Sequence, residues 1–182
     1  MKSMFSRAPV LPKFNAVMVG LDAAGKTTIV NKLKLGEVKT TMLGFEFKIE
    51  SVSLNGTSIT VWDVRGSDHI RMLWPHYYNE KNVIIYVVNS NDLRRRWDDG
   101  TNRRMETSEE FMKIVTAIPN VPILVYANKQ DLRDSNPVAE VADLLGLKDL
   151  PPSRVWRIQA SCAVTGEGLW EGLEWLRTAL DQ

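Results

Sequence analysis

The chain has 182 residues, 44% of them hydrophobic, which is enough for one domain with a sizeable core. Charged residues make up 25% and the formal net charge is +1, so no global field draws the chain to nucleic acid or an anionic membrane. The single cysteine, Cys162, excludes a disulfide within the chain and suits a reducing cytoplasm, and no stretch approaches the roughly 20 apolar residues of a membrane span.

In chain order, residues 1–13 read as a tail or a short broken helix, interrupted by Pro9 and Pro12 and lacking the apolar run of a signal peptide. One domain is expected over residues 14–182. Phe14 to Gly20 reads as a buried strand, and Lys26 to Leu35 as a helix stopped near Gly36. Phe45, Phe47 and Ile49 alternate, as do Ile59 and Val61, and Asn55-Gly56 between them signals a two-residue hairpin. Val83 to Val88 and Pro122 to Ala127 are short apolar runs of the kind found in buried parallel strands. Glu106 to Ala117, Pro137 to Leu145 and Leu169 to Leu180 carry helical patterns, and Val155 to Ile158 reads as a last short strand. The order predicts an α/β domain, with a six-stranded, mostly parallel sheet, one antiparallel hairpin and helices on both faces. Ligands of such sheets bind beyond the carboxyl ends of the strands.

Two motifs fall there. Gly20-Leu21-Asp22-Ala23-Ala24-Gly25-Lys26-Thr27 fits G-x-x-x-x-G-K-[ST] between a predicted strand and a predicted helix. Its glycines let backbone N–H groups turn inward towards phosphate oxygens, from Gly20 and Asp22 through Thr28. Lys26 supplies a cation, and the Thr27 hydroxyl is placed to hold Mg²⁺ at a helix N-terminus. This motif alone does not separate ATP from GTP. Asn128-Lys129-Gln130-Asp131, after the second apolar strand, fits N-K-x-D. The Asp131 carboxylate can accept from both donors on the guanine edge, a pair adenine lacks, and Lys129 can lay its stem along the base. Ser161-Cys162-Ala163 follows the last strand and can offer backbone N–H groups to the guanine oxygen; Cys162 also suits a small core position.

With these residues in view, GLDAAGKTT, LKLGE, TVWDV, LWPHYY, ANKQDL and ASCAVTGEGLWEGLEWL resemble the Arf and Arf-like branch of small GTPases, over nearly the whole chain from Phe14 onward. The resemblance implies the P-loop small-GTPase fold and a GTP/GDP switch with Mg²⁺, probed by effectors, an exchange factor and a GTPase-activating protein, in a monomeric cytoplasmic protein peripheral to endomembranes and involved in trafficking. It implies that Asp63 holds Mg²⁺ through water and that the Gly66 N–H senses the γ-phosphate. The Asn55-Gly56 hairpin becomes the segment between the switches, sliding in register on exchange. Phe45, Trp62 and Tyr77 match the effector-contacting aromatics.

Four departures from the family pattern stand out. Where relatives read D-V-G-G-Q, this chain reads Asp63-Val64-Arg65-Gly66-Ser67, so Ser67 replaces the glutamine that orients water. A serine cannot offer the same amide pair, and hydrolysis by the chain alone is expected to be very slow. Arg65 could bring a cation towards the phosphates, though the plainer expectation is a solvent-facing arginine. The first switch, Thr40 to Phe45, is two residues short. It places Met42 where a Mg²⁺-binding threonine is expected and leaves Thr41 as the alternative ligand. Lys2 stands where N-myristoylation needs glycine, so any membrane contact is expected to be weak or indirect. Finally, residues 93–110 form a longer, doubly charged stretch with Arg94, Arg95, Arg96, Arg103 and Arg104, expected to be a solvated loop and helix start. A non-cycling GTP-binding adaptor is the alternative. An ATP-using kinase is disfavoured by Asp131, and a His/Cys zinc cluster by having only His69, His76 and Cys162.

Overall fold

The computed structural model describes residues 13–33, 41–43, 47–54, 57–78, 81–92, 102–133 and 135–180. The tail, Phe45, the Asn55-Gly56 pair and the Arg94 to Arg96 run lie outside them.

The chain runs β1 (Lys13–Val19), α1 (Lys26–Leu33), β2 (Thr41–Leu43), β3 (Phe47–Leu54) and β4 (Thr57–Val64). It continues through α2 (Asp68–Arg71), α3 (Trp74–Tyr78), β5 (Val83–Asn89), α4 (Arg103–Ala117), β6 (Ile123–Asn128) and α5 (Val138–Leu144). A 3-10 turn (Leu147–Asp149), β7 (Trp156–Ala160) and α6 (Leu169–Leu180) complete it. The strands form one sheet in the order β2-β3-β4-β1-β5-β6-β7. β4, β1, β5, β6 and β7 run parallel to one another, while β3 pairs antiparallel with both β4 and β2. The class is the expected one, with β2 as a short edge strand beyond the six read from the sequence. Three residues are too few for alternation to show. Leu54 pairs with Thr57, leaving two residues between β3 and β4, the length that a two-residue hairpin requires.

The strand period of two splits the core into two layers. Ala16 and Met18 of β1, Val83, Ile85 and Val87 of β5, and Leu124 and Tyr126 of β6 face α1 and α6. Val17, Val19, Ile84, Tyr86, Val88, Ile123 and Val125 face the layer containing Trp74, Phe111 and Val141. Leu169, Leu173 and Leu176 recur at helical spacing on α6 and bury one face. Two buried tyrosines tie helix to sheet through their hydroxyls: Tyr86 donates to the Thr107 carbonyl (2.8 Å) and Tyr126 to the Leu169 carbonyl (2.6 Å).

Helix α4 begins three residues before the sequence expectation. The Asn102 side chain accepts from the Met105 N–H (3.2 Å), capping the helix so that Arg103 and Arg104 lie in its first turn. The short α2 and α3 were not legible, because neither has room for a repeating apolar face.

Candidate functional site

The carboxyl ends of β1, β4 and β6 open into one cleft of about 480 Å³, lined by Asp22, Ala23 and Gly25 to Thr28, by Asp63, Arg65, Gly66 and Ser67, and by Lys129. The turn after β1 takes its shape from positions a side chain resists. Gly20 has φ +143°, and a Cβ there would run into the Val87 carbonyl. Gly25 has φ +102°, and its Cβ would strike the Asn128 amide. Ala23 is also left-handed, at φ +55°.

Lys26 turns back over this loop. Its Nζ donates to the carbonyls of Gly20 (2.8 Å) and Leu21 (2.9 Å), and the residue is buried. Burial pushes the ammonium down to about 8, against the opposing pull of Asp63 and Asp22. The Thr27 hydroxyl donates to Asp63 Oδ2 at 2.6 Å, joining the start of α1 to the end of β4. Burial raises the Asp63 pKa, while the Thr27 hydrogen bond and the Lys26 charge work against it. A hydroxyl and a carboxylate side by side in a cleft are hard oxygen donors that fit Mg²⁺, which keeps most of its other ligands as water and phosphate. Among the described residues no cluster of three His, Cys, Asp or Glu side chains competes as a metal site.

Gly66 presses directly on the loop; a Cβ there would meet the Gly20 carbonyl and the Asp22 amide. The segment is pinned one residue earlier, where Trp74 Nε1 donates to the Arg65 carbonyl at 3.0 Å. Ser67 occupies the N-cap position of α2 with φ −71° and ψ 153°, exposed and without a side-chain cap. Thr41 lies on β2, paired across the ladder with Ile49.

At the other end, Asn128 is fully buried and joins three loops. Its Nδ2 donates to the Ala24 carbonyl (2.8 Å), and its Oδ1 accepts from the Ala163 N–H (3.0 Å) and the Ser161 hydroxyl (3.5 Å). Lys129 follows in the left-handed region at φ +67°, and Asp131 is exposed. The three amides of Ser161, Cys162 and Ala163 donate within the chain, to the Ala127 carbonyl, the Glu167 carbonyl and Asn128 Oδ1. A base oxygen reaching for the Ala163 N–H therefore has to share it with Asn128. Asn128→Ala is expected to strand two buried backbone groups, costing about 3 kcal/mol, or roughly 10 °C in melting temperature. A melt within about 2 °C of the parent would remove this clamp from the account.

Three features were not read from the sequence. Arg103 Nη1 pairs with Asp22 Oδ1 at 2.6 Å, bringing α4 to the loop across 81 positions of chain. Burial alone would raise the Asp22 pKa, but the hydrogen bond and charge of Arg103 hold it below the ordinary value. Arg71 joins α2 to α4, bonding Asp68 and, at 3.4 Å, Glu106. No local pattern announces such pairs. Third, Trp62 and Tyr77 have ring centroids 6.5 Å apart, and Phe47 joins them, with ring centroids 5.2 Å from Trp62 and 5.0 Å from Tyr77. The signal was the alternation that places Phe45 and Phe47 on one strand face. Lys81 Nζ lies 3.5 Å above the Trp62 ring.

The ADP-ribosylation factor family model matches residues 1–180. The chain belongs to this family. A solved relative is the Arl6 BBS3 small GTPase from Trypanosoma brucei with bound nucleotide analogue GppNp. It is 30% identical to this chain, and the match covers 93% of this chain and 98% of that one with a TM-score of 0.77. The fold is therefore that of the small GTPases, and the chain is a GTP-binding switch of the Arf type.

Proposed function

We propose that this Arf-family member binds GTP and GDP with Mg²⁺ in the cleft, recruits effectors when GTP is bound, and hydrolyses GTP very slowly on its own. The observation that carries the reading is the contact between the two halves of the cleft. Gly66, next to Arg65, leans on the phosphate loop beside the cluster of Lys26, Thr27 and Asp63. An added terminal phosphate has to displace or recruit that segment, and this is how such a site distinguishes GTP from GDP.

In this reading the backbone from Asp22 to Thr28 cradles the phosphates and Lys26 neutralises their charge. Thr27 and Asp63 hold the cation, Asp63 through water, and Thr41 joins them if the first switch closes. Mg²⁺ supplies charge neutralisation on the phosphate oxygens. Asn128 positions the base-reading segment, Asp131 accepts from guanine, and Lys129 covers the base. Phe47, Trp62 and Tyr77, with Phe45, form the face that effectors meet when α2 and α3 shift. The work is that of a monomer in the cytoplasm, with weak or indirect contact to endomembranes, in membrane trafficking. An exchange factor and a GTPase-activating protein set its state.

A non-cycling adaptor is the second reading, favoured by Ser67 at the mouth of the cleft. Tryptophan emission separates the two, because Trp62 and Trp74 flank the Gly66 segment. Exchanging GDP for the non-hydrolysable analogue GppNHp is expected to change the emission by tens of per cent and to make an effector-type partner bind. Emission that stays constant while the exchange is shown to be complete would favour the adaptor.

A further inference from the structure

Among the described residues that line the cleft, Arg65 is the cation without a counterpart in the family pattern, and no competing partner for it is found among them. Among the described residues two carboxylates line the cleft, and both are engaged. Asp22 is held by Arg103 at 2.6 Å, and Asp63 accepts from Thr27 at 2.6 Å in a buried position. Among the described residues no hydrogen bond or ion pair involves the Arg65 guanidinium. The residue is exposed, and it lines the cleft together with Lys26, Thr27 and Lys129.

Its backbone, in contrast, is held on both sides. The Arg65 carbonyl accepts from Trp74 Nε1, and the next residue, Gly66, lies against Gly20 and Asp22 with no room for a Cβ. A long cationic side chain thus springs from a fixed point two residues past Asp63. That end of the cleft carries Lys26, Thr27 and Asp63, the residues that in the proposed use take the terminal phosphates, while Lys129 marks the proposed base end. With Asp22 neutralised, the cations of the cleft exceed its carboxylates, which suits a polyphosphate. Guanidinium binds phosphate oxygens through paired charge-assisted hydrogen bonds.

We infer that Arg65 is a specificity-determining residue that contacts the terminal phosphate and biases this site towards the triphosphate over the diphosphate. The inference rests on the proposed use of the cleft as a GTP/GDP site. The γ-phosphate brings the charge nearest to Arg65, so GTP gains from the contact and GDP gains little.

The test uses the full chain, stripped of nucleotide and titrated with fluorescent mant-GDP and mant-GppNHp in the presence of Mg²⁺. Arg65→Gln is expected to weaken mant-GppNHp about tenfold and mant-GDP by less than about twofold. Arg65→Lys is expected to recover most of the loss, and the tenfold gap should shrink as salt rises from about 0.05 to 0.5 M. Equal weakening of both ligands, or no weakening of either by R65Q, would overturn the inference while leaving the nucleotide site standing. A parent protein that binds neither ligand would overturn the site and the inference with it.

Discussion

Replacing Lys26 by methionine is expected to lower affinity for both GDP and GTP by about 10²- to 10³-fold while leaving the domain folded. The loss follows from the position of the ammonium group, which is buried over the turn and donates to the Gly20 and Leu21 carbonyls at 2.8 and 2.9 Å. A cation held there meets phosphate oxygens where water screens it little, and charge-assisted hydrogen bonds of this kind are worth about 1.5–3 kcal/mol each. Two of them lost amount to about 3–6 kcal/mol, and the lower end of that, about 3–4 kcal/mol, corresponds to the stated range. The fold should survive, because the same burial that strengthens binding makes the free ammonium uncomfortable and pushes it down to about 8. A folded-state value below the unfolded 10.5 means that the unfolded chain binds more protons between about pH 8 and 10.5. The nucleotide-free parent therefore gains stability as pH rises through that window, and Lys26→Met loses the gain. Titration with mant-nucleotides and melts at pH 7 and 9.5 measure both halves. Parent-like affinity in a folded variant would remove Lys26 from the phosphate site.

What could be read from the sequence follows from the range of the interactions involved. The turn from Gly20 to Thr27 depends on local conformation: glycines at positive φ, a lysine, and a helix start within eight residues. The same holds for the alternating strands, whose two faces become the two layers of the core. Arg103 is illegible for the opposite reason. In the sequence it belongs to a run of mixed charge and looks solvated, yet α4 carries it to Asp22. Asn128 was read as part of a base-reading motif, and its buried bonds to Ala24 and Ala163 depend on where β6 and the loop after β7 meet. Phe47 joined the aromatic cluster because the rings of Trp62 and Tyr77 converge from β4 and α3, a convergence no spacing encodes. Long-range pairs, then, had to come from the fold, while the motif chemistry did not.

Bound GTP is expected to persist in the isolated protein, and Ser67→Gln is expected to raise the single-turnover hydrolysis rate by about tenfold or more. The position itself is well made. Ser67 lies at the mouth of the cleft, its carbonyl accepts from the N–H groups of Ile70 and Arg71 to start α2, and Gly66 beside it rests on the phosphate loop. What is lacking is reach and function. A serine hydroxyl is two carbons shorter than a glutamine amide and offers one rotating O–H where the amide offers a fixed donor and acceptor. Orienting water demands both, since this chemistry depends on positioning and charge rather than on covalent help from the protein. The exposed side chain at 67 means that a longer residue fits without repacking the core. Arg65 does not substitute for the missing amide: it can stabilise charge on the phosphate but cannot accept a proton or hold a water by its lone pair. A switch of this composition would stay loaded until an exchange factor, a GTPase-activating protein or simple dissociation resets it. Phosphate release from protein loaded with GTP, followed over hours for the parent and S67Q, decides the matter. A parent rate equal to that of the glutamine variant would mean that another group, not residue 67, aligns the water.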